Sequence, residues 1–334
     1  MSKMGKTVHV DLAISSCFMT RRYEKPESWA KIISDLGFDY ASLDSDALDY
    51  FYSGDHDYIM KTAARTRKVF EDAGLKIVDY LTGFAPYRFF GLAHEDAESR
   101  AQMYRWLEGA IEIASVVGAE SVSGRFDAFS VEVMSDPAAY QARYNEVIRA
   151  YQRLAVTAKQ AGLSAIGIEQ MYVPSLVPYT ISGTKQYFAD ANINNAEGAI
   201  LRPVLDTGHA CGQNYGVSGD DLYYEKWIEE FGALCNTIHI QQSRRSGSDH
   251  APFTPDTVGD VKIDEIVSAL ERSVKNYEKN ELAKYIPMPE NIYLILEVIP
   301  STSQSEQKIY DELKQSIAYL RTVVPKGGID LSID

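Results

Sequence analysis

Gln160-Ala161-Gly162-Leu163-Ser164-Ala165 reads as the end of a helix, a glycine and the beginning of a strand. Glycine suits this junction because the residue past a helix end commonly takes the left-handed conformation, in which a side chain costs energy. The same order of helix, glycine and strand recurs at Gly37, Gly74 and Gly118. The chain therefore repeats one helix-to-strand unit.

The four glycines lie 37, 44 and 44 residues apart, which leaves room for one helix and one strand in each unit. Such alternation predicts parallel strands joined by helical crossovers. Four further apolar runs raise the number of predicted strands to eight: Thr7 to Ala13 and the runs that end at Asp206, near Gln241 and at Glu297. Eight alternating units predict an α/β fold, a (β/α)8 TIM barrel, that occupies residues 1–334 as a single domain.

The segments between the strands carry apolar residues at helical spacing, as in Glu98 to Val117 and Pro137 to Ala161. The last helix is predicted from Gln304 to Val324, followed by a polar tail. A doubly wound open sheet is the alternative fold. No G-x-G-x-x-G motif follows the first strand to support it, so no nucleotide cofactor is expected.

Composition narrows the class of protein. The formal net charge of −14 and the estimated pI of 4.9 disfavour nucleic acid and anionic membrane surfaces as partners. The three cysteines, Cys17, Cys211 and Cys235, are too few and too scattered for a disulfide framework. No apolar stretch reaches the roughly 18 residues of a membrane helix. A cytoplasmic protein is therefore expected.

Acidic and imidazole side chains stand at the ends of the last four predicted strands. Glu169 ends strand five, Asp206-Thr207-Gly208-His209 follows strand six, strand seven carries His239, and strand eight ends at Glu297. Neighbouring strand ends of a barrel meet on its catalytic face, so these side chains are expected to converge. Three carboxylates and one imidazole suit Mn²⁺ or Mg²⁺, with Co²⁺ also accommodated. Each residue alone has an ordinary structural explanation, but together the four predict a metal site.

Two long loops are predicted on the same face, Gln213 to Tyr224 and Ser243 to Lys262. The second loop holds Arg245 and His250, whose side chains together with nearby serines suit a phosphate group. The other interpretation of this loop is a solvated segment with a surface ion pair.

The strand-end residues resemble those of a known family, the xylose-isomerase-like TIM barrels, which include sugar isomerases, ketose 3-epimerases and endonuclease-IV-type enzymes. The ketose 3-epimerases share a strand-five Glu, a strand-six Asp with a His three residues on, a strand-seven His with an Arg six residues on, and a strand-eight Glu. The matching residues here are Glu169, Asp206 with His209, His239 with Arg245, and Glu297.

The resemblance implies a role for each of these residues. Glu169, Asp206, His239 and Glu297 would hold the metal. Glu169 and Glu297 would also exchange protons with the substrate, while His209 and Arg245 would bind its oxygens. Gln241 stands where many ketose epimerases have glycine, and it joins His250 as a candidate substrate-binding residue.

The chemistry of these residue types agrees with that implication. Two glutamates on opposite sides of a sugar can move a proton beside a carbonyl, and a metal stabilises the enediolate that results. We therefore expect an isomerase or epimerase that acts on a small sugar of four or five carbons or on its phosphate. The alternatives are a sugar-acid dehydratase or lyase, an endonuclease-IV-like phosphodiesterase and a non-catalytic sugar-binding barrel. Related sugar isomerases suggest a homodimer or homotetramer.

Overall fold

A closed barrel of parallel strands forms the centre of the molecule. The computed structural model describes residues 6–19, 25–82 and 90–333. Within these residues the strands are β1 Thr7–Ser15, β2 Tyr40–Asp44, β3 Lys76–Thr82, β4 Ser121–Gly124, β5 Ala165–Glu169, β6 Ile200–Asp206, β7 Thr237–Ile240, β8 Asn291–Leu296 and β9 Ile329–Ser332. Strands β1 to β8 follow one another in chain order around the sheet.

The barrel closes because β1 pairs in parallel with both β8 and β2. Its pairing with β8 runs from His9 opposite Asn291 to Ile14 opposite Leu296. Its pairing with β2 is shorter and aligns Ile14 with Ala41. The TIM-barrel fold predicted from the alternating pattern is therefore confirmed.

Helices surround the strands on the outside. In the described part of the chain they are α1 Pro26–Asp35, α2 His56–Asp72, α3 Ala97–Val117, α4 Val131–Ser135, α5 Pro137–Gln160, α6 Ile181–Asn192, α7 Tyr224–Phe231, α8 Ile263–Asn276 and α9 Glu306–Leu320. Their apolar faces pack against the barrel, where Trp106 of α3 and Trp227 of α7 are among the largest fully buried side chains. None of the described helices is both long and apolar enough to cross a bilayer.

The predicted glycine junctions adopt the expected backbone. Gly37, Gly74, Gly118 and Gly162 have φ angles of 83°, 73°, 80° and 91°. A side chain in this left-handed region is strained, so glycine allows each helix to end and the chain to turn directly into the next strand.

The end of the chain differs from the prediction. The last helix is shorter than Gln304 to Val324. Ser305 caps its first turn by accepting a hydrogen bond from the Lys308 N–H, and the helix ends at Leu320. The segment predicted as a polar tail forms β9, which pairs antiparallel with β1. Alternation explains the strand, since Leu331 is buried while the residues on either side of it are exposed.

The two loops predicted on the catalytic face also differ from each other. The first contains two short 3₁₀ turns, Gly212–Tyr215 and Gly219–Leu222. The second lacks helix and strand. One antiparallel bridge pairs its Ala251 with Gln242, the residue just before the loop. This bridge holds the segment that contains His250 close to the end of β7.

Candidate active site

Four buried side chains meet at the carboxyl ends of β5 to β8. Glu169 and Asp206 are the last residues of β5 and β6, His239 lies within β7, and Glu297 directly follows β8. One nitrogen or oxygen atom from each of the four lies within 4.8 Å of those of the others. The structure thus brings together the set that the strand ends predict.

His239 lies between the two glutamates. Its Nδ1 is 3.2 Å from Glu169 Oε1 and 3.4 Å from Glu297 Oε2. Glu297 Oε2 and His239 Nε2 are buried and make no hydrogen bond to the described residues. A buried carboxylate oxygen without a hydrogen-bond donor is costly, and a divalent cation would compensate it. Three carboxylates and one imidazole therefore fit a hard or intermediate divalent ion.

The two glutamates differ in their affinity for protons. Burial raises the pKa of Glu297, and the neighbouring Asp206 and Glu169 raise it further against the opposing effect of His239. Burial acts in the same direction on Glu169, but the positive charge of Arg125 and the hydrogen bond from His239 outweigh it and lower that pKa. Glu169 is therefore ionised under conditions in which Glu297 retains a proton. Such an unequal pair is suited to acid and base roles.

His209 lies beside the strand-six carboxylate. Its Nδ1 is 2.8 Å from the backbone carbonyl oxygen of Gln170, which can only accept, so Nδ1 donates. Its Nε2 then faces Asp206 Oδ2 at 3.8 Å. Asp206, His209 and His250 form a second group with ligand atoms within 4.8 Å of one another. His209 is thus directed towards the same carboxylate that belongs to the first group.

Gln241 and His250 cover the outer side of the cluster. The Oε1 atom of Gln241 accepts a hydrogen bond of 2.5 Å from the His250 backbone N–H. His250 Nδ1 lies 3.6 Å from Glu297 Oε2. Burial lowers the pKa of His250 to about 4, so this imidazole is neutral near pH 7. Its φ of 45° is rare for a residue with a side chain, and such strain is concentrated at functional sites.

The structure does not bring the two loop arginines to the cluster. Arg244 Nη2 lies 2.8 Å from Asp249 Oδ1. Arg245 Nη2 lies 3.4 Å from Glu225 Oε1, and its guanidinium covers the ring of Tyr223 at 4.5 Å. Both arginines form surface ion pairs, as the alternative interpretation of this loop expects. Substrate binding by Arg245 stays a prediction that requires the guanidinium to leave Glu225.

Arg125 is a site residue that the sequence patterns missed. It follows β4 directly, and its Nη2 lies 3.6 Å from Glu169 Oε2. Its Nη1 lies 3.3 Å from the Met171 sulfur. Its position directly after a predicted strand is the signal that identifies it. The metal-site pattern does not include it, because a guanidinium is not a metal ligand.

The Cys17 thiol and the Asp44 carboxylate lie next to Glu297 of the cluster. Cys17 Sγ is 3.1 Å from Asp44 Oδ2 and 3.8 Å from Glu297 Oε1. Burial, together with the charges of Asp44 and Glu297, raises the pKa of this thiol well above its usual value. Cys17 is therefore a neutral thiol beside the strand-eight glutamate.

Four aromatic residues follow strands of the barrel in the sequence and are candidates for an apolar wall of the pocket. The Tyr172 ring lies 5.3 Å from the His209 ring, beside the site. Phe18 and Phe126 are buried and pack against Tyr310 and Tyr151 as core residues. Phe84, the fourth of these, lies outside the described residues.

Comparison with known proteins identifies a matching family and a similar protein of known name. Residues 30–279 match the family described as xylose isomerase-like TIM barrel. D-erythrulose 1-phosphate 3-epimerase of Brucella abortus (strain 2308) is 23% identical over 270 residues, which are 80% of this chain and 81% of that protein. The match to the family covers well over half of the chain.

Two crystal structures illustrate the shared fold. A Rhodospirillum rubrum ATCC 11170 protein, whose name refers to xylose isomerase, superposes with a TM-score of 0.80 and 20% identity over 95% of this chain and 100% of that one. D-psicose 3-epimerase in the presence of D-fructose gives a TM-score of 0.64 and 16% identity over 94% of this chain and 99% of that one. At these sequence identities, the similarity shows a shared fold and no more.

Proposed function

The chain belongs to the xylose isomerase-like TIM barrel family, and from this premise we propose that it is a divalent-metal-dependent sugar isomerase or epimerase. The reaction would move a proton at a carbon beside a carbonyl through an enediolate. The observation that carries the proposal is the buried cluster in which Glu169 and Glu297 meet Asp206 and His239.

Glu169, Asp206, His239 and Glu297 would hold Mn²⁺ or Mg²⁺, with Co²⁺ as a further candidate. The donor set supports this choice, because oxygen-rich sites with one imidazole suit these ions better than thiolate-binding metals. When bound, the ion would act as a Lewis acid that makes the proton beside the carbonyl easier to remove.

The two glutamates would divide the proton transfer between them. Glu169, whose pKa is lowered, would take the proton from the substrate carbon. Glu297, whose pKa is raised, would return a proton. Delivery to the opposite face inverts the carbon, which is epimerisation, whereas delivery to the adjacent carbon interconverts aldose and ketose.

The substrate would be a sugar of four or five carbons, free or phosphorylated. The relative in Brucella abortus, named for a phosphorylated ketose, supports the small size. His209 and His250 would bind substrate oxygens, since both border the cluster. Gln241 would bind a substrate oxygen only by giving up one of its hydrogen bonds to Asp206. Arg245 would bind a phosphate only after it leaves Glu225.

Deuterium exchange tests the proposal most directly. Metal-free and Mn²⁺-reconstituted protein would be incubated in D₂O with a panel of tetroses, pentoses, ketoses and their phosphates. Mn²⁺ would be removed before the NMR spectra are recorded. Metal-dependent deuterium uptake at a carbon beside the carbonyl is the expected result.

Product identity separates the competing chemistries in the same experiment. Deuterated isomers or epimers support the proposal, while loss of water points to a dehydratase that begins from the same proton abstraction. Absence of uptake from every sugar in the panel would contradict the proposal.

A further inference from the structure

Arg125 and Glu169 lie next to each other at the carboxyl ends of the adjacent strands β4 and β5. Gly124, the last residue of β4, is aligned with Ile168 of β5. The next residue on each strand is therefore Arg125 on one side and Glu169 on the other. Gly124 has a φ of 143°, and a Cβ at this position would clash with the Thr82 side chain, so glycine is needed where the chain turns.

The Glu169 carboxylate has a different partner at each oxygen. Glu169 Oε1 accepts a hydrogen bond from His239 Nδ1 at 3.2 Å, and Glu169 Oε2 lies 3.6 Å from Arg125 Nη2. The Arg125 side chain is only 11% exposed, compared with 42% for Arg245. A buried guanidinium has little freedom to move away, so the two partners together fix the rotation of the carboxylate.

Arg125 also balances the charge of the cluster. Glu169, Asp206 and Glu297 supply three negative charges when ionised, and a divalent ion neutralises two of them. One negative charge remains, and Arg125 is the cation beside it. The same guanidinium repels the divalent ion, because like charges separated by several ångströms interact strongly in a buried site.

We propose that Arg125 is a positioning residue that holds Glu169 Oε2 away from the metal and keeps this oxygen available to the substrate proton. The inference rests on the proposed function. Carboxylates bind divalent ions through one oxygen or through both. Without Arg125, Glu169 would turn both oxygens to the ion. This would strengthen metal binding and leave no Glu169 oxygen available to take the substrate proton.

Two substitutions separate charge from packing. Arg125→Met removes the charge but keeps most of the side-chain length, and Arg125→Lys keeps the charge without the planar fork. Arg65→Met is the matched control, because Arg65 forms an ion pair with Glu27 at 2.8 Å on the exposed surface. Mn²⁺ affinity would be measured by titration calorimetry on metal-free protein, alongside kcat, KM and the melting temperature.

Arg125→Met is expected to bind Mn²⁺ at least about tenfold more tightly, since a repelling cation is gone. Its kcat should fall by about tenfold or more, with KM changed by less than about threefold, as expected when a transition-state interaction is lost. Arg125→Lys should restore part of kcat and nearly native Mn²⁺ affinity. Arg65→Met should leave all three quantities unchanged.

The other outcomes overturn the inference. A higher KM with unchanged Mn²⁺ affinity would make Arg125 a substrate-binding residue. Weaker Mn²⁺ binding together with a lower melting temperature would make it a structural one. If the native protein shows no deuterium uptake, the proposed function fails separately, while Mn²⁺ binding by Arg125→Met that is unchanged or weaker would still refute the inference.

Discussion

The Gln241 side-chain amide donates from Nε2 to both carboxylate oxygens of Asp206, at 2.8 and 3.0 Å. The orientation of the amide is fixed, because its Oε1 accepts the backbone N–H of His250 and an N–H can only donate. The Asp206 carboxylate is therefore held by a side chain from the neighbouring strand end. Groups that orient metal ligands in this way are an integral part of metal sites.

Replacing Gln241 by Ala should lower Mn²⁺ affinity about 10- to 100-fold, because Asp206 loses the amide that orients it. Calorimetric titration of metal-free protein measures the effect. The control is Gln186→Ala, which removes a similar hydrogen bond of 2.8 Å to an aspartate, Asp190, on the exposed surface of α6. Equal affinities for the two variants would show that Gln241 does not orient the ligand.

Glu169→Gln and Glu297→Gln should each reduce kcat by roughly 10²- to 10⁴-fold, the usual contribution of general acid–base catalysis. Metal content measured alongside turnover separates loss of the base from loss of the ion. Glu132→Gln, at an exposed position of α4, is the control. Full turnover by either site variant with its metal in place would refute the acid–base roles.

Chelation should destabilise the protein as well as inactivate it. Mn²⁺ at 100 times its dissociation constant should add about 2.7 kcal/mol to the free energy of unfolding, which raises the melting temperature by about 4 °C. Asp206→Asn should lose most of this increase because it lacks one ligand charge. A shift of the same size in both proteins would place the bound ion elsewhere.

Asp127 should make stability depend on pH. Its carboxyl is buried against the Tyr151 hydroxyl at 3.3 Å, and burial raises its pKa to about 7. In the unfolded chain the pKa is about 3.9, so between these values only the folded state keeps the proton. The contribution of this group to stability is therefore complete below pH 4 and falls as pH rises to 7.

Asp127→Asn cannot ionise and should become more stable relative to the native protein by about 2 kcal/mol between pH 5 and pH 7. Urea unfolding at several pH values measures the difference. Asp256→Asn, in an exposed turn, should follow the native profile. If the native protein and Asp127→Asn show the same dependence of stability on pH, Asp127 does not stay protonated in the folded state above pH 4.

Substitutions of Arg245 and Glu225 should change KM for phosphorylated ketoses in opposite directions. If a substrate phosphate takes the guanidinium from Glu225, Glu225→Gln should lower KM for phosphorylated ketoses severalfold. Arg245→Ala should raise the same KM about tenfold, and neither change should affect free sugars. Equal effects on free and phosphorylated sugars would end the phosphate role of this loop.

Much of the barrel could be predicted from local signals. The glycine junctions and the acidic strand ends each follow from the backbone and burial of a few neighbouring residues, as at Gly162 and Glu169. These signals fail where the outcome depends on distant partners. β9 forms because the first residues of β1, Thr7 to Val10, are not paired with β2, and four residues of alternating polarity do not reveal that unpaired edge.

The candidate site shows the same division. Strand ends identify which residues are near one another, but not where each long side chain points. Arg245 follows β7 with the expected spacing, yet its guanidinium meets Glu225 at the rim. Arg125 has no motif around it, yet it reaches the buried centre. Only the packed structure distinguishes these two arginines.

The pairing of β1 with β8 and β9 also has a consequence during synthesis. Ile329, which aligns with Val10 of β1, is made more than 300 residues after it. At about 5 to 20 residues per second, this partner arrives roughly 15 to 60 s after β1. During that interval an apolar strand edge is open to other nascent chains. The yield of folded protein in a cell should therefore depend on translation speed and on chaperones that cover this edge.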